Sequence, residues 1–346
     1  MKQRRKNSTL LVLRFSAMGD VAMVASVLRA FAEQHPHFTV IVVSRATFEP
    51  FFADISGLIF HPFYPKGAHR NIRGLYRLFT ELLQYKPAAV ADLHDNLRSR
   101  FLSLLFRAKG IHVSQLDKGR KEKKALTRPH HKVMKPLKPT VDRYADVFGK
   151  LGFPIVLSHS LSRRRLPLPE TAKRFFAGGE AVKKIGIAPF AQHLPKVYPP
   201  DRMEAVIAYL SQQGHTVLIF GGGPAEQRVA EGWQHRHKHV HSLIGQFSLQ
   251  QELAIIANLD IMLSMDSAGM HLASLMGVRV LSIWGGTHPY AGFLGYGQHL
   301  EDCIQVDHPA RPSSVYGNKP CICDGKDSME LIPPEMVIDK LQHIGL

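Results

Sequence analysis

Short apolar runs and longer amphipathic stretches alternate along most of this chain. In the first half, runs rich in Val, Ile and Leu predict strands near Leu10 to Phe15, Phe38 to Val43, Leu58 to Phe60, Ala88 to Asp92 and Gly110 to Val113. Helices fall between them, near Asp20 to Gln34, Asn71 to Gln84 and Leu97 to Arg107. Strands apolar on both faces, separated by helical lengths, belong to a parallel sheet covered by helices. The pattern stops at KGRKEKKALTRPHHKVMKPLKPT (Lys118 to Thr140), basic and proline-bearing, which predicts an exposed loop.

The alternation then restarts, with strands near Lys184 to Ala188, Thr216 to Phe220, His239 to Leu243, Ile261 to Ser264 and Val278 to Ile283. Helices near Arg202 to Gln213, Leu249 to Ala257 and Ser267 to Met276 intervene, and Pro333-Pro334 opens a terminal helix. A chain of 346 residues has room for two domains, each with a full core. The expected organisation is therefore two doubly wound α/β domains, over residues 1–160 and 170–332, with a terminal helix over 333–346. The stretch LSHSLSRRRLPLP (Leu157 to Pro169) is the expected hinge. Doubly wound sheets bind ligands outside the carboxyl ends of their strands, so the loops there are where chemistry is sought.

Composition narrows the class. At 45% hydrophobic and 21% charged residues, the chain is neither disordered nor fibrous. Residues 1–150 hold 27 Lys and Arg against 11 Asp and Glu, whereas residues 151–346 hold 17 against 17, so the formal charge of +16 resides in the first half. A basic half beside a neutral one predicts an anionic partner for the first: nucleic acid, a phosphorylated glycolipid or a membrane surface. Three cysteines (Cys303, Cys321, Cys323) cannot form a disulfide framework, and the odd count fits a reducing compartment. Cys321 and Cys323 have the wrong spacing for a CxxC knuckle, and no metal is expected. The N-terminal apolar run Leu10 to Leu13 is cut by Arg14, short of the ~7–15 residues of a leader's apolar core. No segment approaches the ~20 apolar residues of a membrane span. The expectation is a soluble, cytoplasmic protein.

Several loops carry candidate chemistry. The first strand runs into RFSAMGDVAMV (Arg14 to Val24), where Ser16, Gly19 and Asp20 lie at a strand-to-helix turn. Asp20 is either a helix N-cap or a general base presented at a strand end. No GxGxxG follows, so the dinucleotide fingerprint is absent. In MDSAGMHLASLMG (Met265 to Gly277), Ser267 and its neighbours would place backbone N–H groups at a helix N-terminus, suited to a diphosphate. His271 is either directed at that ligand or a core residue. In GIAPFAQHLPKVYP (Gly186 to Pro199), Lys196 is either solvated surface or the cation a departing diphosphate needs. FGGGPAEQ (Phe220 to Gln227) lets backbone approach a ligand, with Glu226 either on ribose hydroxyls or capping the next helix. IWGGTHPYAGFLGYG (Ile283 to Gly297), with Thr287 and His288, repeats the theme. The run HRHKHVH puts His235, His237, His239 and His241 on one face if extended, but the interleaved Arg236 and Lys238 oppose a cation, and an exposed strand or loop is expected.

In that order, RFSAMGDVAM, a lysine loop, a glycine loop and DSAGMHLAS resemble glycosyltransferase family 9, the heptosyltransferases of lipopolysaccharide core assembly. The resemblance covers the chain from about Leu10 to the terminal helix. It implies the GT-B architecture, two Rossmann-like doubly wound parallel-sheet domains facing across a cleft, with the acceptor in the first and an ADP-activated heptose in the second. It implies inverting transfer with no essential metal and no cofactor beyond the ADP-sugar substrate. Carried over residue by residue, Asp20 is the catalytic base. Lys196, Gly222, Glu226, Asp266, Ser267, Gly269, Met270 and His271 form the donor site, with Lys196 on the diphosphate and Glu226 at the ribose. DLHDNLRSR (Asp92 to Arg100) lies on the acceptor side, where Ser16, Arg70, Arg73 and Arg98 are the candidates for an anionic inner-core acceptor, Kdo or heptose. The family commonly has Gly third in its Asp-Ser/Thr-Gly segment where this chain has Ala268 then Gly269, and Phe190 stands where a small residue is usual. An anionic glycolipid acceptor further implies peripheral contact with the cytoplasmic membrane face, with no specific nucleic acid as partner. Rival readings are a GT-B transferase or epimerase with another nucleotide sugar, a basic nucleic-acid-binding protein, and a catalytically silent binding subunit. Against the nucleic-acid reading, the basic stretches lack interleaved aromatics and any reader motif.

Overall fold

The computed structural model describes residues 8–346, so the start of the segment weighed above as a leader lies outside the described residues. In chain order the elements are β1 (Ser8–Leu13), α1 (Met18–Gln34), β2 (Phe38–Arg45), β3 (Leu58–Phe63), α2 (Ile72–Leu83), β4 (Ala89–Asp92), α3 (Leu97–Ala108), β5 (His112–Gln115), α4 (Arg120–Leu126) and α5 (Thr140–Lys150). There follow β6 (Lys184–Ala188), α6 (Pro200–Gln212), β7 (Thr216–Ile219), α7 (Pro224–Arg236), β8 (Val240–Ser242), α8 (Leu249–Ala257), β9 (Ile261–Met265), α9 (Ala268–Leu275), β10 (Val280–Ile283), β11 (Cys303–Ile304) and α10 (Pro334–His343). Short 3₁₀ turns and a small antiparallel hairpin, Ile322–Cys323 against Lys326–Asp327, complete them.

Two compact units result. The first runs to Lys118 and resumes over Thr140–Ser158; the second comprises Gly119–Pro139 and His159–Leu346. The sheet of the first unit has the order β3-β2-β1-β4-β5, all parallel. That of the second has the order β11-β10-β9-β6-β7-β8, also all parallel. In each, the first strand lies inside the sheet and the winding reverses beside it, between β1 and β4 and between β6 and β9. In sheets of this kind the flanking loops part at such a reversal and leave a crevice at the strand ends, which makes the loops there the candidate sites.

The strands read as continuous apolar runs because both faces are covered: β6, β9 and β10 are buried at every position, as are Leu10 to Leu13 of β1. Burying each such Val, Leu or Ile contributes about 1.5–3 kcal/mol, which makes these strands the framework on which the loops are hung. In the first unit, side-chain caps start α2 and α3 at defined residues. Asn71 accepts the Gly74 N–H ahead of α2, and Asn96 and Ser99 form a capping box ahead of α3.

Four features depart from the sequence expectation. First, α1 begins at Met18 with Ala17 as N-cap, so Asp20 is its third residue and not the N-cap. Secondly, the basic stretch expected as a loop contains α4 and belongs to the second unit, with Lys123 set 4.2 Å from the Phe293 ring centroid and the Leu137 N–H bonded to Tyr290 O at 2.9 Å. Thirdly, α5 returns the chain to the first unit. Its Val141, Tyr144, Val147 and Phe148 are buried, and Phe148 packs 5.1 Å from Phe31 of α1. The chain therefore passes between units at three points, not through one linker. Fourthly, HRHKHVH is not extended: His235 and Arg236 finish α7, His237 caps it and donates to Glu204 at 2.9 Å, and only Val240 to Ser242 form strand. The helix wins because Ala230 and Trp233, three apart, reach the core together.

Candidate active site

In the first unit the reversal of winding brings together the loop after β1 and the loop after β4. Arg14, the first residue beyond β1, is buried and bridges the two: its Nη1 donates to Leu93 O at 2.7 Å, and its Nη2 lies 2.6 Å from Asp20 Oδ2. Asp20 Oδ2 also accepts the Ala17 N–H at 3.3 Å, and Tyr144 of α5 donates to Oδ1 at 3.4 Å. As the third helical residue, Asp20 reaches back to its own N-cap, half of a capping box, and its charge opposes the positive end of α1. The cap reading and the base reading of Asp20 are thus not exclusive: one carboxylate makes a backbone bond and stands at the strand ends, 26% exposed. Burial works against the Arg14 charge, but Asp20, Tyr144 and Asp92 together outweigh it and hold the guanidinium above its ordinary range.

The neighbouring loop is organised by Asp92, the last residue of β4, which accepts the N–H groups of His94 and Asp95 at 3.0 and 2.9 Å, the Ser103 hydroxyl at 3.1 Å and the Gln115 amide at 3.2 Å. His94 accepts the Phe15 N–H on Nδ1 at 3.2 Å, tying the two loops. Burial first, then the charges of Arg14 and Lys118, push its pKa down to about 3, so its imidazole is neutral. Ser16 sits half-buried in the β1 loop. Arg98 is exposed in the first turn of α3, and Arg70 and Arg73 are exposed at the start of α2, which follows β3. All five expected residues of this unit lie at the carboxyl edge of one sheet. Arg70 and Arg73 belong to the strand two places from β1, roughly 10 Å along the sheet at ~4.8 Å per strand.

In the second unit the reversal lies between β6 and β9, and the loops after these strands meet through Lys196 Nζ and Asp266 Oδ2, 3.0 Å apart. Both are largely buried, at 16% and 6% exposure, so the pair is shielded from screening. Gly317 (φ +74°) packs on the Lys196 stem: a Cβ there would overlap its Cγ and Cδ. Ser267 is the N-cap of α9, its hydroxyl 3.4 Å from that of Ser264. Gly269 has a steric reason: a Cβ would overlap Ala188 Cβ at the end of β6, so glycine is what lets α9 press against that strand. Met270 and His271 are buried in the first turn of α9, which is buried from there to its end. One strand away, Glu226 in the first turn of α7 accepts the Gly222 N–H at 2.7 Å, so it orders the glycine loop from within. On the other side, Arg311 donates to the carbonyls of Trp284, Gly285 and Thr287 and so shapes the loop after β10, where burial and the Arg311 charge push His288 down to about 4.

Three residues at these sites were not singled out from the sequence: Arg14, Tyr144 and His94. Arg14 carried a readable signal, a charge set directly against a four-residue apolar run. Tyr144 lies 124 residues from Asp20, and nothing local announces that pairing.

Each of the two doubly wound units has a pair of charged side chains, Arg14 with Asp20 and Lys196 with Asp266, where its winding reverses. Comparison with known proteins gives the family. Residues 75–319 match the model of glycosyltransferase family 9 (heptosyltransferase), and the chain belongs to that family and is a glycosyltransferase. It is 23% identical to the lipopolysaccharide core heptosyltransferase OpsX of Haemophilus influenzae, over 98% of this chain and 97% of that one. Among solved structures, a family 9 glycosyltransferase from Veillonella parvula superposes with a TM-score of 0.75 at 19% identity, over 99% and 98% of the two chains. The E. coli heptosyltransferase WaaC with ADP superposes with a TM-score of 0.68 at 19% identity, over 97% and 99%. The fold is therefore that of the family, with the two parallel-sheet units of the GT-B class.

Proposed function

We infer that this glycosyltransferase moves a heptose from ADP-heptose to an inner-core lipopolysaccharide acceptor, Kdo or heptose, with inversion at the anomeric carbon. The similarity to OpsX along the whole chain supports the acceptor class, and ADP is the nucleotide in the WaaC structure that the chain resembles. The observation that carries the mechanism is Asp20: a carboxylate at the end of the first strand, held by Arg14 and by the Ala17 N–H, where the winding reverses.

In this reading Asp20 takes the proton of the acceptor hydroxyl as its oxygen attacks the anomeric carbon, and the bond from that carbon to the diphosphate breaks. Attack from the face opposite the leaving group inverts the centre. Lys196 and the N-terminal N–H groups of α9 stabilise the charge growing on the diphosphate, a task a metal performs in other sugar transferases. On substrate binding, Lys196 exchanges part of its interaction with Asp266 for phosphate oxygens, and Asp266 keeps the ammonium oriented. Glu226 reaches the ribose with the oxygen not engaged by Gly222. Ser16, Arg70, Arg73 and Arg98 bind the acid groups of the acceptor, and Met270 and His271 back the nucleotide pocket.

Product analysis with purified ADP-heptose and a defined inner-core acceptor tests the reading. Heptosylated product of inverted configuration, formed in the presence of a chelator, is the expected result. Transfer only from UDP- or GDP-sugars, or only with added divalent cation, overturns the donor or the metal-independent mechanism respectively.

A further inference from the structure

The segment Gly119–Pro139 carries eight Lys and Arg against one Glu, yet it folds onto the otherwise neutral second unit. Its residues divide into two sets. One set anchors it: Leu126 is fully buried, Lys123 covers the Phe293 ring, Lys132 donates to the carbonyls of Pro309 and Ala310, and Leu137 bonds to Tyr290. Two of its cations are thereby turned inward. The other set points outward: Lys121, Lys124, Arg128 and Lys135 are exposed, and between the last two stand Val133 and Met134, 42% and 41% exposed. The Val133 N–H donates to Ala125 O at 3.1 Å, which pins the backbone of this apolar pair to the end of α4.

An exposed apolar pair on the same short segment as four exposed cations is better matched to an interface than to bare water, because the cations repel one another and the apolar side chains are partly hydrated. It is matched to an anionic bilayer: the cations meet headgroup phosphates while Val133 and Met134 enter the acyl boundary. A free phosphate or a nucleic acid would satisfy the charges but leave Val133 and Met134 in water. We propose that residues 119–139 are a membrane-docking arm that holds the second unit against an anionic lipid surface through Lys121, Lys124, Arg128 and Lys135, with Val133 and Met134 inserted. This rests on the reading of a bilayer-anchored acceptor above, but the docking is measured with neither donor nor acceptor, so the two fail separately.

The test is sedimentation of the full chain with vesicles of phosphatidylglycerol and phosphatidylethanolamine in equal parts, against phosphatidylcholine vesicles. Binding is expected to the anionic vesicles alone, weakened by salt. Each cation near such a surface contributes about fivefold, so K121E/K124E/R128E/K135E lowers partitioning at least ~100-fold while ADP binding and the unfolding midpoint persist. V133S/M134S, which alters no charge, weakens it at unchanged salt dependence. Met134→Trp, which keeps every charge, reads insertion directly: the emission of the introduced indole shifts blue and is quenched by brominated lipid. Equal binding to both vesicle types, unchanged binding by the charge-reversed chain, or an emission from the introduced indole that ignores the vesicles overturns the proposal. So does a duplex DNA that displaces the chain from anionic vesicles at physiological salt, which assigns the arm to nucleic acid.

Discussion

Arg14 Nη2 lies 2.6 Å from Asp20 Oδ2, and the same guanidinium is tied to Leu93 O in the loop after the neighbouring strand β4. Arg14 therefore fixes the carboxylate relative to both loops at the reversal of winding. In Arg14→Leu, Asp20 is 26% exposed and hydrates, so the loss in stability is limited to about 1–3 kcal/mol from the carbonyl and carboxylate bonds lost. A carboxylate misplaced by about an ångström costs up to ~100-fold in rate. The expected outcome is kcat lowered by ~10- to 100-fold with the Kd for ADP unchanged, measured by steady-state transfer and calorimetry. Loss of ADP affinity in parallel would contradict the assignment of Arg14 to the acceptor side.

Lys196→Ala removes the cation proposed for the diphosphate and strands the buried Asp266. ADP affinity is expected to fall by roughly 10- to 100-fold, in keeping with a charged hydrogen bond, and adenosine affinity by little. Adding Asp266→Asn to that variant relieves the unpaired charge, so the melting temperature recovers while ADP binding does not. Equal losses for ADP and adenosine would remove Lys196 from the phosphates.

Gly317 supports the Lys196 stem. Gly317→Ala is strained at φ +74° and overlaps that stem, so it displaces the ammonium. Titration with ADP and adenosine is expected to show the same selective loss as Lys196→Ala, at smaller size. An unchanged affinity for ADP shows the stem to be tolerant and discards the role.

His94 gives a pH signature. Its folded pKa of about 3 lies below the 6.5 of an unfolded histidine, so the unfolded chain binds the extra proton first as pH falls. The stability held by neutral His94 is complete above pH ~6.5 and declines toward pH ~3. His288, at about 4, acts in the same sense, whereas Glu252, raised to about 7 by burial, loses its contribution as pH rises through that value. His94→Gln isolates the first: denaturant unfolding between pH 4 and 7 is expected to show a shallower fall in stability for the variant than for the parent. Identical slopes would show that His94 is not held neutral.

The strands were legible because burial on both faces erases alternation: KIGIA reads as strand at Lys184–Ala188, where it is one. The helix α5 was legible in principle, through Val141, Tyr144, Val147 and Phe148, but lies directly after a basic, proline-rich run that reads as loop. α7 buries only Ala230 and Trp233 and offers little periodicity. The candidate loops were found because chemistry gathers at strand ends, and Lys196 and Asp266 were both named. Their pairing was not visible, since 70 residues separate them and only the adjacency of β6 and β9 brings them together. The attachment of the basic segment to the second unit is likewise a tertiary fact: its anchors, Lys123 and Lys132, look in sequence like the cations that remain exposed.

The most direct measurement is transfer by Asp20→Asn alongside its ADP affinity. Asparagine keeps the size and can still accept the Ala17 N–H, but it cannot take up the acceptor proton. Transfer is expected to fall by about 10²- to 10⁴-fold with ADP binding within a factor of two or so of the parent. A variant that still transfers at near-parental rate, or that loses ADP binding as severely as turnover, would show that this carboxylate is a helix-capping group and not the base.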